Sequence, residues 1–158
     1  MTRLLTTLMF ALTLSACTPV PADDEAELRQ LFDRFAVLAD QKDVASQLTL
    51  FTPDAVMVSR SDGEVTTLEG REAIGAAFEG FLSQFETVFH QNGQHLVEVV
   101  GDNATGTGYS IVVLSHSEAR LTMGVIYSDV YVRNGGTWRI ARRESDFRWQ
   151  NMEPRQMP

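Results

Sequence analysis

Histidine exchanges protons near neutral pH, and this chain of 158 residues carries three: His90, His95 and His116. His90 and His95 lie an odd number of residues apart, so on a regular strand they face opposite ways and do not share a metal. His95 alternates in step with Val97 and Val99, which reads as a pocket or core position. His90 reaches that face only through a bulge, for which Asn92-Gly93 is the natural site. His116 falls in a turn, and no metal site is expected. Tyr109, Tyr127 and Tyr131 alternate with Ile111, Val113 and Val125, which makes them candidates to line an interior and offer hydroxyl donors. Arg139, Arg142, Arg143, Glu144 and Asp146 crowd the last apolar segment. Regular alternation there puts Arg142, Glu144 and Asp146 on the face of Trp138 and Ile140, as either a paired structural cluster or a charged rim, and adds Trp138 to the pocket candidates.

The elements that hold these residues follow from periodicity. Leu28, Leu31, Phe32, Phe35, Leu38 and Ala39 recur at helical spacing and predict an amphipathic helix over 24–41. Asp43 is placed to cap a second short helix carrying Val44, Leu48 and Phe51, ended by Pro53. Residues 54–58 and 64–68 read as strands about a Ser61-Asp62-Gly63 turn, and Ile74, Ala77, Phe78, Phe81, Leu82 and Phe85 mark a third helix with Gly70 near its start. Strands follow over 88–100, 104–115, 120–133 and 137–147. Gly101-Asp102-Asn103, Ser115-His116-Ser117 and Asn134-Gly135-Gly136 supply the turns of an antiparallel meander. Phe147-Arg148-Trp149 reads as a closing aromatic lid or an edge that supports a dimer. Helices gathered first and long strands last make the fold class α+β, a strongly curved antiparallel sheet packed against N-terminal helices.

This order, with "LFTPDAVMVS", "LEGREAIGAAF", "GDNATGTGYS" and "YVRNGGTWRIARR", resembles the SnoaL-like members of the nuclear transport factor 2-like superfamily over residues 27–149. The resemblance implies a cone-shaped half-barrel with a pocket between sheet and helices, in a superfamily of isomerases, dehydratases, cyclases and binding modules. Members similar to dehydrochlorinases and scytalone-type dehydratases use an Asp near the end of the first helix to orient a His on the first long strand. The matching positions are Asp40 and His90. A carboxylate so placed fixes the imidazole tautomer and leaves the other nitrogen to take a proton from a substrate carbon, with no metal or organic cofactor. Asp40 lies outside the apolar stripe of its helix, so it faces a pocket only if the helix ends or bends there. Where the dehydratases place an aromatic hydroxyl before the Asp, this chain has Ala39. The ketosteroid isomerase scheme is not carried over, since its carboxylate position is Ser59 and its tyrosine position Phe35.

The amino terminus resembles a bacterial lipoprotein precursor. An apolar run from Leu4 closes on Leu14-Ser15-Ala16-Cys17, and Cys17 is the only cysteine. The run spans roughly half of a ~30 Å hydrocarbon core, too short to cross it. The resulting expectation is a signal peptide over 1–16, a tether over 17–24 lipidated at Cys17, a SnoaL-like domain over 25–150 and a tail over 151–158. Thr18 rather than Asp after the cysteine points to an outer membrane facing the periplasm. Loss of residues 1–16 removes Arg3 and no acid from a chain of net charge −8, leaving −9, which argues against nucleic acid as a partner. The expected function is binding of a small, largely apolar molecule at the cell envelope, with a cofactor-free lyase, isomerase or dehydratase as the alternative. A homodimer fits the resemblance.

Overall fold

A computed structural model describes residues 24–154; the leader, Cys17 and the Pro-rich tether lie outside the described residues. Helix α1 (Asp24–Asp40) buries Leu28, Leu31, Phe32, Phe35, Ala36 and Ala39, and carries Asp24, Glu25 and Glu27 in its first turn, where they complement the helix dipole. Lys42 adopts a left-handed conformation just beyond it (φ 55°), and the Asp43 amide returns to the Leu38 carbonyl at 2.9 Å. Asp43 then caps α2 (Val44–Leu48), accepting the Ser46 amide at 3.0 Å.

The second helix is shorter than its sequence pattern suggests. Phe51 and Pro53 belong to strand β1 (Phe51–Ser61), because the Leu50 carbonyl accepts the Ile140 amide at 2.9 Å and Phe51 is fully buried beside Ile140. Asp62 and Gly63 both take positive φ and turn β1 into β2 (Glu64–Glu69), as a tight hairpin requires. Helix α3 (Gly70–Leu82) stops before Phe85, which packs edge-on against Phe81.

Strands β3 (Thr87–Val100), β4 (Asn103–Ser115), β5 (Ala119–Asn134) and β6 (Thr137–Pro154) complete the chain. The six strands form one curved, unclosed sheet in the order β2-β1-β6-β5-β4-β3, with the helices N-terminal to most of it, so the α+β half-barrel expected from the sequence is observed. One neighbouring pair, β1 with β6, is parallel. Strand β6 runs on to Pro154, paired with β5 from Ala119, so Phe147-Arg148-Trp149 is strand rather than lid and residues 151–154 continue it.

Three bulges decide which side chains face inward. Strand β3 carries an extra residue between Asn92 and His95, which puts Val88 and His90 on the same face as His95 and Val97. Strand β6 carries Ala141 and Arg148 as extra residues opposite β5. The first of these reverses the alternation read from the sequence. Trp138 and Ile140 are followed inward by Arg143 and Ser145, while Arg142, Glu144 and Asp146 face outward and pair there, Glu144 with Arg60 at 2.6 Å and Asp146 with Arg148 at 2.9 Å.

Candidate active site

Between the inner face of the sheet and the helices lies a cavity of about 340 Å³. Phe35 and Ala39 of α1, Phe78 and Leu82 of α3, and Val112 and Met123 of the sheet give it mainly apolar walls. His90 enters this cavity with a side chain only 8 % exposed. Because α1 ends at Asp40, the carboxylate turns across to β3. Its Oδ1 lies 2.6 Å from His90 Nδ1, and its Oδ2 accepts the His90 backbone N–H at 3.2 Å. The helix end and the bulge together make a pair that neither regular helix nor regular strand would allow.

Burial holds the His90 pKa below its ordinary 6.5, against the opposing hydrogen bond and charge of Asp40; the Arg143 cation pushes the same way as burial. At neutral pH the ring is therefore the uncharged imidazole. With Nδ1–H donated to the carboxylate, Nε2 carries the lone pair on the cavity side. Tyr127 also lines the cavity, and burial pushes its phenol up to about 12, so it stays a neutral donor.

The other sequence candidates lie elsewhere. His95 is buried but does not line the cavity; it stacks on Phe32 with ring centroids 4.4 Å apart, and its Nε2 sits 3.2 Å from the Tyr131 hydroxyl. Burial lowers its pKa as well. Tyr131 is fully buried and donates to Asp129 at 2.6 Å, again behind the cavity wall. Trp138 is core: its indole N–H donates to Asp24 at 3.1 Å, and the Arg133 guanidinium lies over its ring. Tyr109 is 43 % exposed on the opposite face of the sheet, because inward positions on β4 are the even-numbered ones. It borders an open depression of about 400 Å³ with Trp149 and Arg148, whose lining holds neither histidine nor carboxylate. His116 stays in its turn, accepting the Glu118 amide at 3.3 Å.

Sequence reasoning missed a buried ion pair. Arg143 and Asp129, with side chains 0 % and 1 % exposed, meet through two hydrogen bonds of 2.8 and 2.7 Å. Burial alone would lower the Arg143 pKa, but Asp129 outweighs it and the group stays charged. The guanidinium lies 4.0 Å from the Phe35 ring centroid and 4.7 Å from that of Tyr127, directly behind the cavity. One signal for it was present: Asp129 alternates with Tyr127 and Tyr131, and an inward carboxylate needs a cation. Among the described residues, no group of three or more His, Cys, Asp or Glu could hold a metal ion.

The SnoaL-like domain family model matches residues 21–144. The chain belongs to the SnoaL-like domain family. Within reach of this SnoaL-like domain in sequence is an uncharacterized protein of Mycobacterium tuberculosis, 29 % identical over 133 residues that span 82 % of this chain and 88 % of the relative. Two solved structures share the SnoaL-like fold. An NTF2-like protein of cystatin-like fold from Novosphingobium aromaticivorans superposes with a TM-score of 0.68 at 26 % identity, covering 80 % of this chain and 82 % of its own. A hexachlorocyclohexane dehydrochlorinase from Novosphingobium barchaimii superposes with a TM-score of 0.70 at 16 % identity, covering 85 % and 94 %.

Proposed function

We propose that this SnoaL-like domain binds a small, largely apolar molecule in the cavity and removes a proton from one of its carbons, as a cofactor-independent lyase or isomerase. The observation that carries this reading is the 2.6 Å contact between Asp40 Oδ1 and His90 Nδ1 at the wall of an apolar cavity. His90 Nε2 takes the proton. In an elimination, the C–H electron pair becomes a new π bond as the bond to a leaving group on the adjacent carbon breaks, and that group departs with its electrons. In an isomerisation, the C–H electron pair enters an adjacent conjugated carbonyl, and the proton returns from Nε2 to the far carbon of that π system as its double bond shifts. Asp40 holds the tautomer and stabilises the imidazolium formed in the step. The neutral Tyr127 hydroxyl is the donor available to a departing or carbonyl oxygen. The similar dehydrochlorinase acts on an apolar ring, which accords with this class of chemistry.

The test is solvent deuterium wash-in. Cyclic ketones incubated in D₂O should gain deuterium, and halogenated rings should release halide, with the wild-type protein and not with His90→Gln. Equal exchange by both proteins would leave binding without catalysis as the function.

We extend the proposal to the rest of the chain. Lipidation at Cys17 would hold the domain at the bacterial cell envelope, on the periplasmic side of an outer membrane, and Cys17→Ser would then abolish labelled-palmitate incorporation. The half-exposed Phe89, Tyr109 and Trp149 give the outer face of the sheet the character of a homodimer contact, which sedimentation of the domain would test.

A further inference from the structure

The strand registers place four hydroxyl side chains in one row across the cavity wall. Thr66 of β2 is opposite Ser59 of β1, Ser59 is opposite Ser145 of β6, and Ser145 is opposite Tyr127 of β5. Residues opposite one another in a sheet present their side chains to the same face, and all four line the cavity. The row runs from Thr66, exposed at the sheet edge, to Ser145 and Tyr127, which are 4 % and 6 % exposed. None of the four hydroxyls hydrogen-bonds to another group among the described residues. Past Tyr127 the row reaches Gly108, where the Phe32 ring occupies the space a side chain would fill and closes it.

A line of unpartnered hydroxyls in a mainly apolar cavity is costly unless a ligand or water meets it. The central pair is the informative one. Ser59 and Ser145 have side chains of equal length on adjacent strands, so in matching rotamers their hydroxyls repeat at about the 4.8 Å strand spacing. Oxygens on alternate carbons of a six-membered ring are separated by nearly the same distance. Oxygens on adjacent carbons are much closer together, and those on opposite carbons somewhat farther apart. Facing the row, Phe78 and Leu82 of α3 present only carbon.

We propose that Ser59 and Ser145 form an oxygen-recognition edge, so that the ligand is an apolar ring compound bearing hydroxyl or carbonyl oxygens on alternate ring carbons. Tyr127, the longest of the four side chains, reaches beyond the serines to meet a third polar group. This deepens the reading of the cavity as a ligand site and rests on it. It also explains why hydroxyl side chains occupy inward positions on β1 and β6 that packing alone would fill with aliphatic residues.

Isothermal titration under argon with hexylresorcinol, hexylhydroquinone and hexylphenol tests it, since the three share a tail and differ in the number and placement of ring oxygens. Hexylresorcinol is expected to bind about 3- to 10-fold more tightly than hexylphenol, the gain of one net hydrogen bond, and hexylhydroquinone no more tightly than hexylphenol. Ser59→Ala and Ser145→Ala should each erase the resorcinol advantage while leaving hexylphenol affinity within about twofold. Equal binding of the two diols, or a preference that survives both substitutions, would overturn the oxygen edge while leaving the cavity a ligand site. Binding by none of the three compounds would overturn the cavity reading, and the oxygen edge with it.

Discussion

Asp40 meets His90 at two points, the imidazole Nδ1 through Oδ1 and the backbone N–H through Oδ2, so one carboxylate fixes both the ring and the strand that carries it. The contact spans fifty residues of sequence, from the last residue of α1 to the fourth of β3. It ties the geometry of the proposed base to the packing of helix against sheet.

Asp40→Asn separates the two contacts. The amide oxygen still accepts the His90 N–H, so the fold should survive. The amide NH₂ now donates to Nδ1, which moves the ring proton to Nε2 and removes the base. Deuterium wash-in to any exchanged compound should fall by about 10²- to 10⁴-fold with little change in melting temperature. A variant that exchanges like wild type would show that the carboxylate only joins helix to sheet.

Acid should destabilise the domain earlier than its carboxylates alone require. His90 and His95 both have folded-state pKa values held below the 6.5 of an unfolded chain, so the unfolded state binds more protons as pH falls. Their contribution to stability is complete above about 6.5 and is lost as pH drops through that value toward the folded-state pKa. Urea unfolding at pH about 7.5 and about 5.5 measures the difference, and His95→Phe should shrink it. Proton abstraction should persist below pH 6.5 and fall only as the pH passes the lower folded-state pKa of His90, because only the neutral ring accepts a proton.

Deleting Gly93 tests the bulge. With one residue fewer, β3 cannot keep both His90 on Asp40 and His95 on Tyr131, since one end of the strand must turn over. The deletion should lose either ring exchange or several degrees of melting temperature. Retention of both would mean that the register adjusts elsewhere.

The buried Arg143–Asp129 pair should behave as a unit. Arg143→Met leaves a carboxylate buried with only Tyr131 for a partner and should cost about 3–5 kcal/mol in urea unfolding. Adding Asp129→Leu removes the stranded charge and should recover much of that loss. Additive losses in the double variant would show that the two residues stabilise separately.

Much of this was legible in the sequence, and the failures share a cause. Apolar spacing located α1 and α3, Asp43 was readable as a cap, and the turn residues marked all the hairpins. Asn92-Gly93 could be read as the bulge that brings His90 inward, because a Gly interrupts that strand. Ala141 leaves no such mark, so strict alternation put Arg142 on the inner face where Arg143 stands. Phe51 fits a helical stripe as well as a strand, and only its pairing with Ile140 decides between them. Tyr109 and Tyr127 are both odd-numbered, but the inward positions are even on β4 and odd on β5, and that difference follows from register rather than from sequence. The hydroxyl row is invisible for the same reason: Ser59, Thr66, Tyr127 and Ser145 are neighbours only once four strands are paired.

The most direct measurement is the protonation of the His90 ring, read by long-range ¹H–¹⁵N correlation with the resonance assigned by its loss in His90→Gln. At pH about 7.5, Nδ1 should carry the proton and Nε2 should be bare, with Asp40→Asn moving the proton to Nε2. A wild-type ring already protonated on Nε2, or on both nitrogens, would contradict His90 as a base held by Asp40.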